Sequence, residues 1–343
     1  MKRRMIQFAS PLVFCVLVGA ACASGPSQAS KPAATATSTP VPVGTIVQGA
    51  MTGASSTGYS IVVSDSAVWV LSEDLGSVTR INPATNAVAA QIDIGSGFGA
   101  VGLANGAVWV LNRNDSVVRR IDPGSNRVVA TIPIPPPDGY LTASSGTVWV
   151  ASLASNVVRK IDPETNQVIA TLPIDGGPSN MAVGAGSLWI CDHHGVQYGV
   201  TRLDLATNKV QGRVDSATYG PGFVLGCDGI AASDKAVWEV LLDGAKNNDQ
   251  GADVGLAHID PETNQVVATV TLPDEPGGYA VAADDNSVWV VGPSTGIFRI
   301  DPTSNKIVAE SPMSGAVAVG MGAGKVWVIT ADSGMVLAIT PGS

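Results

Sequence analysis

The residues best equipped for chemistry stand in one run, Cys191-Asp192-His193-His194. Imidazole and carboxylate are the donors that zinc and similar divalent cations accept, and His changes charge near neutrality. Adjacent residues on a strand point to opposite faces, so a shared ion requires a loop at this point. The alternative is a pair of exposed loop histidines. Glu239 is the other candidate. It follows Trp238, where every other Trp is followed by Val or Ile. A carboxylate in that place needs a partner, supplied by Lys235 or by an outlet to a central channel. Asp192, His193, His194 and Glu239 are therefore the candidate catalytic residues. A divalent cation is the one cofactor that chemistry would use, and no other cofactor is expected. The sequence has no Gly-rich phosphate loop, no G-x-S-x-G and no H-E-x-x-H.

The elements that position these residues are written in the Trp residues. All seven lie in the pattern x-[VL]-W-[VIE], at Trp69, Trp109, Trp149, Trp189, Trp238, Trp289 and Trp327, spaced by 40, 40, 40, 49, 51 and 38. A second block follows most of them, as in Arg120-Ile121-Asp122-Pro123 through Asn126 and Lys160-Ile161-Asp162-Pro163 through Asn166. A third follows that, as in 128–134, 168–174 and 266–272. Apolar and β-branched alternation predicts strands, and Asp-Pro-x-Thr-Asn is turn chemistry. Four strands per period of about 40 residues is the signature of a β-propeller. His258 occupies the slot held by Arg80, Arg120, Lys160, Arg202 and Arg299, which makes it a blade-packing residue.

The last unit ends after Ile339-Thr340-Pro341, one strand short. Residues 44–51 supply the missing strand and close the ring, which removes open edges. The expected fold is all-β: one seven-bladed propeller over 44–341, four antiparallel strands per blade, closed by the N-terminal strand completing the last blade.

In this topology the connections after the Trp strands share a face with those leading into the inner strands. Residues 191–199, 215–228 and 241–254 break the repeat there and account for the long spacings. Long insertions on one sector of one face are where binding usually lives. Cys191 ends one Trp strand and Cys227 begins the next inner strand, so a Cys191–Cys227 disulfide is expected; the alternative is two buried thiols. Seven of the eight Phe and Tyr residues beyond the leader gather at the same mouth. Tyr59, Phe98, Tyr140 and Tyr279 stand at inner-strand starts, where they either rim a recognition surface or wedge between blades. Tyr198, Tyr219 and Phe223 fall in the insertions, and aromatic residues of this kind carry binding energy. With Asp228 these seven are the candidate ligand-binding residues.

The unit G-x-V-W-V…R-I-D-P-x-T-N-x-V-V-A-T-I-P-I resembles the YVTN-type β-propellers of exported bacterial proteins. It is also similar to the group containing the virginiamycin B (streptogramin) lyases. The resemblance spans 44–341 and implies the propeller fold. Those lyases place a His in a P-H-G-I-like inner-strand start. The matching positions here are Ser179 in Pro178-Ser179-Asn180-Met181 and Asp228 in Cys227-Asp228-Gly229-Ile230. Their acid, about four residues after the Trp, is matched by Glu73, while blade four has His193 there. The His and acid pairing is therefore not reproduced.

Lys2, Arg3 and Arg4 precede an apolar stretch over 11–21 and the small residues around Cys22, the pattern of a secretion signal over 1–22. Cys22 is a candidate for lipidation; Ala21-Cys22-Ala23 alternatively reads as an ordinary cleavage site. Residues 23–43 have the Ser, Ala, Thr and Pro composition of a flexible tether, which an anchored protein would use. Loss of the leader leaves 16 basic against 28 acidic residues, a net −12, which disfavours nucleic acid and anionic membranes as partners.

The expectation is an exported, lipid-anchored monomer that binds a small-molecule or protein ligand in the cell envelope and touches the membrane only through its anchor. A metal-assisted lyase or lactonase-like enzyme and a purely structural envelope module are the alternatives.

Overall fold

The x-[VL]-W-[VIE] stretches form the second strand of each of seven four-stranded antiparallel sheets. The computed structural model describes residues 43–47, 59–97, 99–134, 139–144, 146–194, 197–215, 223–243, 253–275, 278–331 and 334–342. Blade two shows the common plan. Its inner strand is Gly99–Ala104, its Trp strand Ala107–Asn112, its Asp-Pro strand Val117–Asp122 and its outer strand Arg127–Pro133. Blade seven takes Ala316–Gly322, Lys325–Thr330 and Met335–Pro341 from the C-terminal end of the chain. Its outer strand is Gly44–Val47, paired antiparallel from Gly44↔Pro341 to Val47↔Ala338. The ring thus closes as the incomplete seventh repeat requires.

The core lies between blades. Each Trp is at most 1% exposed, and Trp109, for example, shares a cluster with Ile134, Val148, Val150 and Ile161 from its own and the next blade. Burying an indole removes about 150–250 Å² from water, so seven of them are the main mortar of the ring.

The Asp-Pro-x-Thr-Asn turns carry a second device. Asp122 accepts from the backbone N–H groups of Gly124 and Ser125, and Asn126 closes the turn by donating its N–H to the Asp122 carbonyl. Asn86, Asn126, Asn166, Asn208, Asn264 and Asn305 all take the left-handed conformation, with φ between 54 and 57°, which Asn tolerates better than other side-chain-bearing residues. Their side chains are then held up to the neighbouring blade. Arg80 donates to the Pro123 carbonyl at 2.7 Å and to Asn126 Oδ1 at 2.9 Å. Arg120 reaches Asn166, Lys160 reaches Asn208, and Arg202 reaches Asn264. Each cation also lies over its own blade's Trp, as Arg80 over Trp69 at 5.2 Å and Lys160 over Trp149 at 5.1 Å. In blade five His258 stacks on Trp238 with centroids 4.4 Å apart and meets Asn305 at 2.7 Å. Arg299 bonds the Gly342 carbonyl, and Lys325 bonds the Pro83 carbonyl across the closure. One clasp thus joins every adjacent pair of blades.

Candidate functional site

The inner strands surround the axis, and their starts form a cavity of about 570 Å³ at one end of it. Its lining includes Ser60, Tyr140, Asn180, Gly229, Tyr279 and Pro293, drawn from blades one and three to six. The inner strands of blades four and five, Gly177–Gly184 and Phe223–Ala232, both slip register near this end, between Pro178 and Met181 and between Leu225 and Ile230. Such irregularities re-aim backbone groups, here at the cavity wall.

The insertions differ from the expected loops. The Trp strand of blade four runs on as Ser187–His194 and pairs with Gln197–Asp204 throughout, with His193↔Tyr198 and His194↔Gln197 opposed. In blade five the Trp strand reaches Asp243 and the next begins at Asp253. The described ends of these insertions are strand, so the hairpins of blades four and five are lengthened; residues 195–196, 216–222 and 244–252 lie outside the described residues. Tyr198, Val200 and Thr201 supply the aromatic and β-branched content that extends a ladder.

This placement puts the 191–194 run inside a strand pair. Asp192 is fully buried. Its carboxylate accepts from Arg213 Nε at 2.9 Å, from Arg213 Nη2 at 2.7 Å and from the Thr201 hydroxyl at 2.5 Å. Arg213 also pairs with Asp215. A carboxylate whose Oδ1 takes two guanidinium N–H groups inside the sheet has the bonding of a structural counter-ion. His193 and His194 are adjacent on a strand; their side chains lie outside the described residues. Glu239 is fully buried and engaged within the fold, while Lys235, its expected partner, pairs with Asp285 at 3.5 Å. Among the described residues no group of three or more His, Cys, Asp or Glu is placed to hold a metal ion.

Tyr140 and Tyr279 both reach the cavity wall. Tyr279 is 3% exposed; its hydroxyl donates to the Pro273 carbonyl at 2.7 Å and its ring meets Phe298 edge-on. It serves as wedge and wall together. Tyr198 is half-buried against the cluster of Trp189 and Cys191. Cys191 is buried and disulfide-bonded. Tyr59, Phe223, Cys227 and Asp228 are placed by backbone only, in the inner strands Tyr59–Val63 and Phe223–Ala232. Phe98, Tyr219 and Cys22 lie outside the described residues.

Sequence reasoning singled out Glu73 only by the lyase comparison and passed over its neighbours on blades two and three. Glu73, four residues after Trp69, accepts from the Gly99 N–H at 2.9 Å through one oxygen, and the other oxygen is buried without a partner. Burial pushes its carboxyl above the usual range, against the Gly99 bond and the charge of Arg113. Arg113, four residues after Trp109, donates Nε to the Gly139 carbonyl at 2.6 Å and lies 4.8 Å over the Tyr140 ring. The offset from the Trp that marked Glu73 is shared by Arg113 and was the signal that could have found it. On the same face Glu275 is fully buried and caps a blade-six turn, accepting from Ser294 N, Thr295 N and Thr295 Oγ1.

No family model and no curated protein matches the chain. Its fold is widely shared, since 1284 chains of solved structures match it. One is hydrazine synthase of Kuenenia stuttgartiensis, 14% identical with a TM-score of 0.69, the match covering 85% of this chain and 97% of that one. At that identity the likeness is one of fold, and a fold of this kind hosts unrelated functions. The protein is a seven-bladed β-propeller of four antiparallel strands per blade.

Proposed function

We propose that this propeller is an exported, lipid-anchored binding protein. On this reading it holds a small-molecule or protein ligand, without converting it, at the face where blades four and five are lengthened. The observation that carries the reading is the 570 Å³ cavity at the mouth of the channel, which lies on that face and is within the range of small-ligand sites. The engagement of Asp192 by Arg213 and Thr201 favours binding over catalysis, because it withdraws the acid of the 191–194 run. Export and anchoring rest on the basic leader, on Cys22 and on the tether over 23–43. Kinship with the YVTN-type and streptogramin lyase-like propellers rests on the repeat unit quoted above. The Trp strand of blade four packs against the inner strand of blade five, which supports pairing of Cys191 with Cys227.

Native mass spectrometry of protein solubilised from the envelope of its own host tests the binding. The expected result is a bound species of defined mass on the wild type, lost in Asn180→Phe while thermal unfolding is retained. Turnover that a chelator abolishes would replace this reading with the metal-assisted lyase. Intact-mass analysis of the N-terminus tests the anchor: an unmodified N-terminus at Ser24 ends it.

A further inference from the structure

The inner hairpin turns lie on the opposite face, and they decide what each buried indole N–H can reach. In blades two, four and seven the turns are Asn105-Gly106, Ala185-Gly186 and Ala323-Gly324, with both residues at positive φ. That is the conformation of a tight two-residue hairpin. It presents the carbonyl five residues before the Trp to the indole: Trp109 donates to Ala104, Trp189 to Gly184 and Trp327 to Gly322. Blade six has a different turn and uses a hydroxyl instead, with Trp289 donating to Ser287 Oγ at 3.2 Å.

Blade one has neither device. Its turn is Ser64-Asp65-Ser66-Ala67, closed by Ser64 N to the Ala67 carbonyl at 2.9 Å and by the Ser64 hydroxyl. The position matching Ser287 is Ala67, which has no hydroxyl. Among the described residues the Trp69 N–H has no acceptor. The indoles of Trp149 and Trp238 are also unpaired but are sealed in the core. Trp69 differs because it lines a cleft of about 320 Å³ between blades one and two, although the residue is only 1% exposed. The rest of the lining includes Ser64, Ser66, Leu103, Ala104, Asn105 and Pro123.

We propose that this cleft binds a compact uncharged molecule whose carbonyl or hydroxyl oxygen accepts the Trp69 indole N–H. Among the described residues no protein group competes for the Trp69 N–H, so an acceptor delivered there displaces only solvent. No ionisable side chain lines the cleft, and an ion would lose its hydration without compensation. The apolar body of the ligand faces Leu103, Ala104 and Pro123, and the Ser64 and Ser66 hydroxyls stand at the turn. The volume is at the lower end of small-ligand sites, which run from about 300 to 1,000 Å³. This site is independent of the mouth cavity, which is on the other face.

The test uses the full propeller, ¹⁵N-labelled, and follows its indole N–H resonances while 2-pyrrolidinone is added, with cyclopentane as the matched hydrocarbon. Ala67→Ser gives the Trp69 indole the hydroxyl that Trp289 already has, without enlarging the core by more than one atom. The expected result is one indole resonance that shifts saturably with pyrrolidinone in the wild type and at least tenfold more weakly in Ala67→Ser. Ser66→Tyr, at an exposed turn position, blocks the cleft from outside and removes the same shift if Ala67→Ser folds poorly. The proposal is overturned if no indole resonance responds, if cyclopentane shifts it equally, or if the response survives in the variants.

Discussion

The interblade clasp makes a quantitative prediction at Asn126. Its Oδ1 accepts from Arg80 of the preceding blade at 2.9 Å, in a half-buried setting, and its backbone sits at φ 54°. Asn126→Ala removes a hydrogen bond to a charged group, about 1.5–3 kcal/mol. It also forces a Cβ residue with no local hydrogen bonding into the left-handed region, about 1–2 kcal/mol more. Arg80 keeps its bond to the Pro123 carbonyl at 2.7 Å, so the first figure belongs at its lower end. The expected loss is about 2.5–3.5 kcal/mol. Asn126→Gly separates the contributions, because Gly takes that φ freely; its loss should be about 1.5 kcal/mol. Urea unfolding of Asn126→Gly, Arg80→Met and the double variant measures the coupling directly. A coupling of about 1 kcal/mol is expected. If the losses of Asn126→Gly and Arg80→Met add without coupling, the cross-blade bond contributes nothing and the clasp is only a by-product of turn geometry. If Asn126→Ala and Asn126→Gly lose equally, the backbone argument fails.

Two other substitutions follow from the same contacts. Arg213→Met leaves the buried Asp192 carboxylate with Thr201 but without its guanidinium, and breaking such a pair costs about 3–5 kcal/mol; a loss below 1 kcal/mol in denaturant unfolding would contradict the assignment of Asp192 as a structural counter-ion. Glu73→Gln acts in the other direction. The folded protein holds the Glu73 proton more tightly than the unfolded chain does, so ionisation penalises the fold as pH rises through its raised pKa. The variant should be more stable than the wild type at pH 7. That gain should disappear below the ordinary glutamate range, and a pH series of unfolding midpoints with a pH-independent difference would refute it.

The seven blades were legible because propeller repeats write their packing locally. Each Trp is the largest side chain of its blade and must be buried, so its spacing counts the blades. Each Asp-Pro-x-Thr-Asn needs one turn geometry, so it marks where a strand ends. The fourth strand that the seventh unit lacks even indicated the partner of Met335–Pro341, since a ring with an unpaired edge is a liability. The role of His258 was readable for the same reason: its slot in the repeat carries the clasp.

What the repeat does not encode was decided by neighbours far apart in the chain. From the sequence, Asp192 and the two His beside it looked like a loop with chemistry. Arg213, 21 residues on, turned Asp192 into a buried counter-ion, and no local pattern announces such a pair. Glu73 and Arg113 sit on different blades and interact only because the ring brings those blades together. The absent Trp69 hydrogen bond is subtler still. Asp65-Ser66 in place of Asn-Gly or Ala-Gly is visible in the sequence, but that this turn borders a cleft beside blade two appears only when the blades are packed. Strand period and turn chemistry act over a few residues and are written in the chain. Cavities, ion pairs and orphaned donors depend on the distances between blades, which only the closed ring sets.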